Sequence, residues 1–253
     1  MAFSNTYTFG FAATICVVCS LALASLSMGL RDLQEDNRRR DVQGNILKAL
    51  GVEGAEGNPP AGEEIDELWK TRVELRVIDG SGKPVTDRDL NADGATDQLD
   101  VDVARASVKG TENTPEILSV YIRKDGDKEG AYAIPVYGVG LWGPISGYVA
   151  LDPAGKEVSG VTFFAPKETP GLGAEITKAK FTEQWTGKKV TGKGGEAKSV
   201  RVVKGEAKVL CPNDLDHCVD GVSGATITCR GVDSMVAEAL DFYDPYLKQI
   251  RGG

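Results

Sequence analysis

The residues of this chain best suited to chemistry lie between Cys211 and Thr228. The segment Asp220-Gly-Val-Ser-Gly-Ala-Thr226, followed by Ile227 and Thr228, places two glycines and three hydroxyls just before an amphipathic run. Gly221, Ser223 and Gly224 predict a tight turn, and the run behind it predicts a helix. A helix start carries backbone N–H groups without intrahelical partners and the positive end of the macrodipole. Hydroxyls placed there occupy a phosphate-friendly site with a threonine in it. On local chemistry alone, an ordinary serine N-cap with two incidental threonines explains the same residues.

Four other patterns carry less. Cys211, His217, Cys218 and Cys229 could be drawn as a zinc site, but their spacings match no standard structural site. Outside the cytoplasm, a Cys211–Cys218 disulfide closing a short loop competes with free thiols. Gly138-Val-Gly-Leu-Trp-Gly143 satisfies GxGxxG, yet Pro144 follows and the next residues alternate as a strand. A dinucleotide fingerprint must open a helix, so these glycines instead predict a tight strand connection that exposes Trp142. Asp89, Asn91, Asp93 and Gly94 are spaced as in a calcium loop, but Asp100 stands where Glu is usual and Thr96 where an apolar residue is expected. No helix pair flanks them, and a solvated acidic turn is the favoured reading. Cys16 and Cys19 form a CxxC within an apolar segment, where they read as packing residues.

The elements that must position these residues follow from the rest of the chain. Its 253 residues include 29 Lys+Arg, 37 Asp+Glu, one His and five Cys, for a net charge of −8. That balance argues against a nucleic-acid partner, and one histidine excludes bis-His haem ligation within the chain. Residues 1–30 contain no charged side chain, and Phe9–Leu30 is almost wholly apolar or small. As a helix those positions span roughly 33 Å, the reach of a bilayer core. The run is too long for a signal peptide and lacks a basic residue before Arg31, so a retained membrane anchor is expected. Arg31 and Arg38–Arg40 would hold that side in the cytoplasm, although the rule weakens for a large downstream domain.

Residues 31–62 read as a juxtamembrane helix, Arg31–Leu50, stopped by Gly51 and followed by a Gly/Pro-rich loop. The domain at 63–253 is expected to be α+β with a mainly antiparallel sheet and flanking helices. Its predicted elements are a short helix at Glu63–Lys70, a strand at Val73–Ile78 and strand pairs Leu118–Arg123/Ala131–Val136 and Ile145–Leu151/Val158–Phe164. Val190 and Val200–Val203, in a lysine-rich stretch, read as an exposed hairpin. Val232, Met235, Val236, Ala239, Leu240 and Tyr243 recur at helical spacing and define one buried face of a final helix.

With those residues set out, the chain resembles a known family. DGVSGATIT is similar to the flavin-attachment motif of covalent FMN-binding domains, which implies that Thr226 carries FMN through a phosphoester. The resemblance gives Asp220, Ser223, Gly224 and Ala225 as motif positions, Asp220 and Ser223 being read by a flavin transferase that uses FAD as donor. Lys167-Glu-Thr-Pro-Gly-Leu-Gly173 resembles the family's ETPGLG loop, which helps build the flavin pocket. It implies polar contacts from Glu168, Thr169 and the backbone of Gly171–Gly173, and apolar ring contacts from Leu172 and Trp142. The Tyr137–Gly143 block with Gly147–Leu151, Gly29-Leu-Arg-Asp-Leu-Gln34, and Pro245-Tyr-Leu-Lys with Arg251 resemble the C-subunit family of Na⁺-translocating NADH–quinone reductases.

That resemblance implies an electron-transfer subunit with one covalent FMN per chain and no turnover alone. It implies the other subunits of a membrane reductase as partners, the flavin transferase during maturation, lipid around residues 9–30, and no nucleic acid. It also implies a bacterial inner-membrane protein with its soluble domain on the periplasmic side. The related G subunit of the Rnf electron-transport complex shares the SGAT and ETPGLG features. A calcium-dependent membrane-tethered binding module built on Asp89–Asp100 is the reading from another class. Residues 86–113 and the Cys211–Cys218 loop look like insertions to which no family role transfers.

Overall fold

Twenty-five residues without a charged side chain wind into α1 (Asn5–Gly29). In this computed structural model, which describes residues 5–54, 58–85 and 117–252, it is a helix long and apolar enough to cross a membrane. The chain separates after Val42 into two units, the second being Gln43–Gly253. The boundary falls inside α2 (Arg31–Ala49), whose final turns therefore belong to the folded domain. Gly51 stops α2 as expected. Its φ is 67°, its N–H donates to the Lys48 carbonyl and the Val52 N–H to that of Leu47, which is a Schellman closure.

Five strands follow one another as an antiparallel meander, β1 (Val73–Asp79), β2 (Ile117–Asp125), β3 (Lys128–Val139), β4 (Pro144–Leu151) and β5 (Val158–Phe164). Each pairs with the next in sequence; short connections such as Asp125–Lys128 join β2 through β5, and the acidic segment lies between β1 and β2. Period-two alternation divides the sheet into two faces. Leu118, Val120, Ile122, Ile134 and Val149 point to the main core with the final helix, here α4 (Thr226–Gly252). Every position of α4 expected on the apolar face is buried, with Tyr246 and Leu247 extending the stripe. The Tyr243 hydroxyl donates to the Ser119 carbonyl at 2.7 Å and ties α4 to β2.

The other face carries Tyr121 and Tyr148, ring centroids 5.8 Å apart, with Trp69 of α3 (Glu63–Arg72) 5.7 Å from Tyr121. The end of α2 lies against β5. A Cβ at Gly160 would stand 2.5 Å from the Ala49 carbonyl oxygen, and Thr162 donates to the Asn45 carbonyl.

One expectation fails here. Val190 and Val200 do not belong to an exposed hairpin, because both are fully buried in the main core. Only a single antiparallel bridge, Thr191 to Ala197, links the two arms. The following strand β6 (Arg201–Val203) pairs in parallel with β7 (Cys218–Asp220). The lysines around Val190 face outward, and their charge hid the apolar residues between them. The acidic segment with Asp89, Asn91, Asp93 and Asp100 lies outside the described residues.

Candidate functional site

The end of β7 leads directly into the turn that the sequence singled out. The Ala225 N–H donates to the Val222 carbonyl at 3.1 Å, and Gly224 has φ 78°, a left-handed conformation suited to glycine. Helix α4 opens at Thr226, and its first ladder bond runs from the Cys229 N–H to the Ala225 carbonyl. The N–H groups of Thr226, Ile227 and Thr228 therefore precede the ladder and face the turn end of the helix. Ser223 and Gly224 are exposed, Thr226 is half-buried and Ala225 is buried.

Thr226 borders an open cleft of about 470 Å³. One wall is Val202, Val203, Lys204 and Gly205; the other is Gly221–Gly224, Cys229, Arg230 and Asp233. The walls are joined by the Gly221 N–H donating to the Gly205 carbonyl at 3.1 Å and by the Val202 N–H donating to Asp233 at 3.0 Å. Lys204 and Arg230 outnumber Asp233 in the lining, so the cleft keeps a net positive charge beside the helix start. Arg230 stands four residues after Thr226, one turn along the same helix face. That spacing was readable from the sequence; Lys204, brought in by the parallel β6–β7 pair, was not. Cys229 carries a free thiol whose pKa is raised by burial, and it accepts the Val222 N–H at 3.3 Å.

Asp220 does not line the cleft. Its carboxylate accepts the Ala207 N–H at 2.6 Å and its own N–H donates to Gln184, so it braces the wall from behind.

The expected second group assembles around Glu168, which is buried at 6% exposure. One carboxylate oxygen accepts the Trp142 N–H at 2.8 Å and the other accepts the Thr228 hydroxyl at 2.6 Å. The β3–β4 connection, the 168–173 loop and the first turn of α4 are thereby held by one side chain. A Cβ at Gly173 would fall 2.2 Å from Glu168 Oε2 and 2.8 Å from Thr228 Oγ1, so only glycine fits there. The Thr169 carbonyl accepts the N–H groups of Leu172 and Ala174, and the Gly171 N–H donates to Glu175. Leu172 reaches over Gly224, where a Cβ would lie 2.8 Å from its Cδ2. The Gly140 N–H donates to the Gly143 carbonyl and closes the strand connection foreseen there, leaving Trp142 64% exposed.

Cys211 and Cys218 are disulfide-bonded. His217 is buried with Nδ1 2.8 Å from Asp214 and Nε2 3.0 Å from the Thr191 carbonyl oxygen, so both ring nitrogens are engaged. Among the described residues no group of three or more His, Cys, Asp and Glu side chains is placed to hold a metal.

A five-stranded antiparallel sheet closed by one long helix, with a glycine turn and a threonine at that helix's start, is the architecture of an FMN-binding domain. The family model of that description matches residues 140–241. The chain is 33% identical to the C subunit of the Na(+)-translocating NADH-quinone reductase of Yersinia pestis, covering 94% of this chain and 90% of that one. It is 32% identical to the Vibrio parahaemolyticus protein of the same description, over 97% and 95%. The crystal structure of the C subunit from Parabacteroides distasonis superposes with a TM-score of 0.68 at 31% identity, covering 86% of this chain and 96% of that one. Shewanella oneidensis NqrC gives 0.69 at 28% identity, over 86% and 100%. The chain belongs to the C-subunit family of the Na(+)-translocating NADH-quinone reductases.

Proposed function

We propose that this chain is the electron-transfer subunit of a Na⁺-translocating NADH–quinone reductase and holds one FMN through a phosphoester to Thr226. The observation that carries this reading is the Thr226 hydroxyl, half-buried at the start of α4 and bordering a cleft with Lys204 and Arg230. A phosphate monoester fits that setting. The helix N–H groups and two cations supply donors. Among the described residues lining the cleft, the two cations outnumber the one carboxylate, Asp233, which is held by the Val202 N–H. Bound FMN supplies one- and two-electron redox chemistry, and the protein's part is to hold it, orient it and limit its contact with water. Trp142 and Leu172 offer apolar surface for the ring, and the Glu168 tie fixes the two loops that present them.

During maturation Thr226 Oγ1 attacks the flavin-side phosphorus of FAD on a flavin transferase. The new O–P bond replaces the pyrophosphate linkage, AMP leaves, and the hydroxyl proton passes to a base. Of the two positions the resemblance gives that enzyme to read, Ser223 is exposed at the turn and Asp220 is held by the Ala207 N–H. Helix α1 anchors the chain in the inner membrane, and the other subunits of the reductase are its redox partners. The Cys211–Cys218 disulfide supports a periplasmic position for the domain, since such bonds persist in oxidising compartments.

Co-expression with a flavin transferase tests the reading. Wild-type chain gives a fluorescent band in a denaturing gel and Thr226→Val gives none. A labelled Thr226→Val chain would overturn the assignment.

A further inference from the structure

We propose that the Cys211–Cys218 disulfide is a positioning element of the acceptor cleft, so that the oxidised chain takes up flavin and the reduced chain takes it up slowly. The inference rests on Thr226 being the acceptor. Its basis is the route of the chain around the cleft. Lys204 and Gly205, which form part of one wall, leave the end of β6 and continue into the helical turn Ala207–Leu210. That turn ends at Cys211, which the disulfide fastens to Cys218, the first residue of β7. Two residues past Cys218, β7 delivers Asp220 and then Gly221, the opposite wall. The bond therefore fixes the outer end of the Lys204 segment to the strand that carries the acceptor turn.

The packing agrees. Cys211 and Cys218 are buried with Ala207 in a small apolar cluster of their own, separate from the main core, and the residue packed against it is Val203 of the cleft wall. Arg201 lies over both sulfurs, 3.3 and 3.5 Å away. Beyond the disulfide, the Lys204–Leu210 segment is held to the second wall by the Gly221-to-Gly205 and Ala207-to-Asp220 hydrogen bonds. Exchange with a dithiol reductant breaks the S–S bond, gives two cysteine thiols and leaves the reductant as a disulfide. The segment then loses its covalent end, and the Lys204 wall is held to the acceptor strand by the β6–β7 pairing and those two hydrogen bonds alone. Attachment needs the hydroxyl and the flavin-side phosphorus in one geometry, so a loosened wall slows it.

The test uses full-length chain in detergent, a purified flavin transferase and FAD, with the thiol state of each sample read by mass. Oxidised wild type is expected to label, and Thr226→Val is not. Wild type reduced with dithiothreitol, freed of reductant and confirmed to carry both thiols, is expected to label roughly tenfold more slowly. Reoxidation is expected to restore the rate. The Cys211→Ala/Cys218→Ala chain is expected to be slow with or without prior reduction, which separates the disulfide from any effect on the transferase. Equal rates for oxidised and reduced wild type would overturn the proposal and leave the acceptor assignment standing. A slow reduced chain whose cooperative melting transition has disappeared would also overturn it, because general unfolding would then be the cause. Label persisting in Thr226→Val would overturn the acceptor assignment and this inference with it.

Discussion

Thr228 donates a 2.6 Å hydrogen bond to Glu168 across sixty residues of chain, joining the first turn of α4 to the loop that precedes Leu172. Both side chains are buried, and the second carboxylate oxygen holds the Trp142 N–H. Glu168→Ala leaves a buried hydroxyl and a backbone N–H without their acceptor. The expected loss is about 2–3 kcal/mol, seen as a fall of roughly 5–10 °C in melting temperature. Thr228→Val removes one of the two bonds, costs less, and leaves flavin attachment at Thr226 intact. Loss of the fluorescent band in Thr228→Val would show that the tie is needed for attachment itself.

Gly221 gives a sharper probe of the cleft. A Cβ there would stand 2.2 Å from the Val203 carbonyl oxygen, so Gly221→Ala must push the walls apart. We expect it to destabilise the domain by about 1–3 kcal/mol and to slow flavin attachment. Gly187→Ala is the matched control: its φ is 79° with open space around the added methyl, so it costs about 1 kcal/mol and attachment continues unchanged. Equal attachment rates in the two variants would show that the wall spacing is unimportant.

Acid should loosen the side of the domain that carries the disulfide loop. Lys198, at 2.8 and 2.9 Å, and then His217 hold the Asp214 carboxyl below the usual carboxylate range. A carboxyl with a depressed folded-state pKa stabilises above its unfolded value, about 4, and loses that contribution as pH falls through the lower folded value. Asp214→Asn should therefore be less stable than wild type in urea at pH 7, with the gap closing toward pH 3 and below. A gap of constant size across that range would show that the charge of Asp214 contributes nothing.

Sidedness is decided by a fusion after Gly253. Alkaline phosphatase placed there should be active, and a fluorescent protein that matures only in the cytoplasm should be dark. The opposite pattern would place the domain with the arginines at 38–40 on the cytoplasmic side.

The sheet and both flanking helices were legible because their apolar periods are long: six residues at helical spacing in α4, and alternating runs in β1–β5. The three-residue strands β6 and β7 are too short to show a period, and their pairing is parallel and non-local. Without that pair, Lys204 stays hidden as well, since it reaches the cleft only through it. Val190 and Val200 have lysine neighbours, and burial alternates residue by residue where charge averages over a window. Thr226 was legible as chemistry only by its motif. The same residues pass for a serine N-cap, and what the fold adds is Lys204 and Arg230 lining the cleft that Thr226 borders. Glu168 stands out in the sequence as a pocket contact, yet what it contacts, the Trp142 N–H and Thr228, is settled by packing between distant segments.

The position of α4 in the chain gives the acceptor a place in time. Synthesis delivers β1 to β5 in the order in which they pair, and α4 emerges after all of them and closes over β3 with Gly231 against the Val139 carbonyl and Met235 against Gly138. Thr226 is the first residue of that closing helix, so its surroundings are complete only once the helix has docked on the sheet. A nascent chain, or one cut short within α4, holds the threonine without the setting that presents it. Under the proposed acceptor role, a flavin on this chain reports that α4 has docked on the sheet.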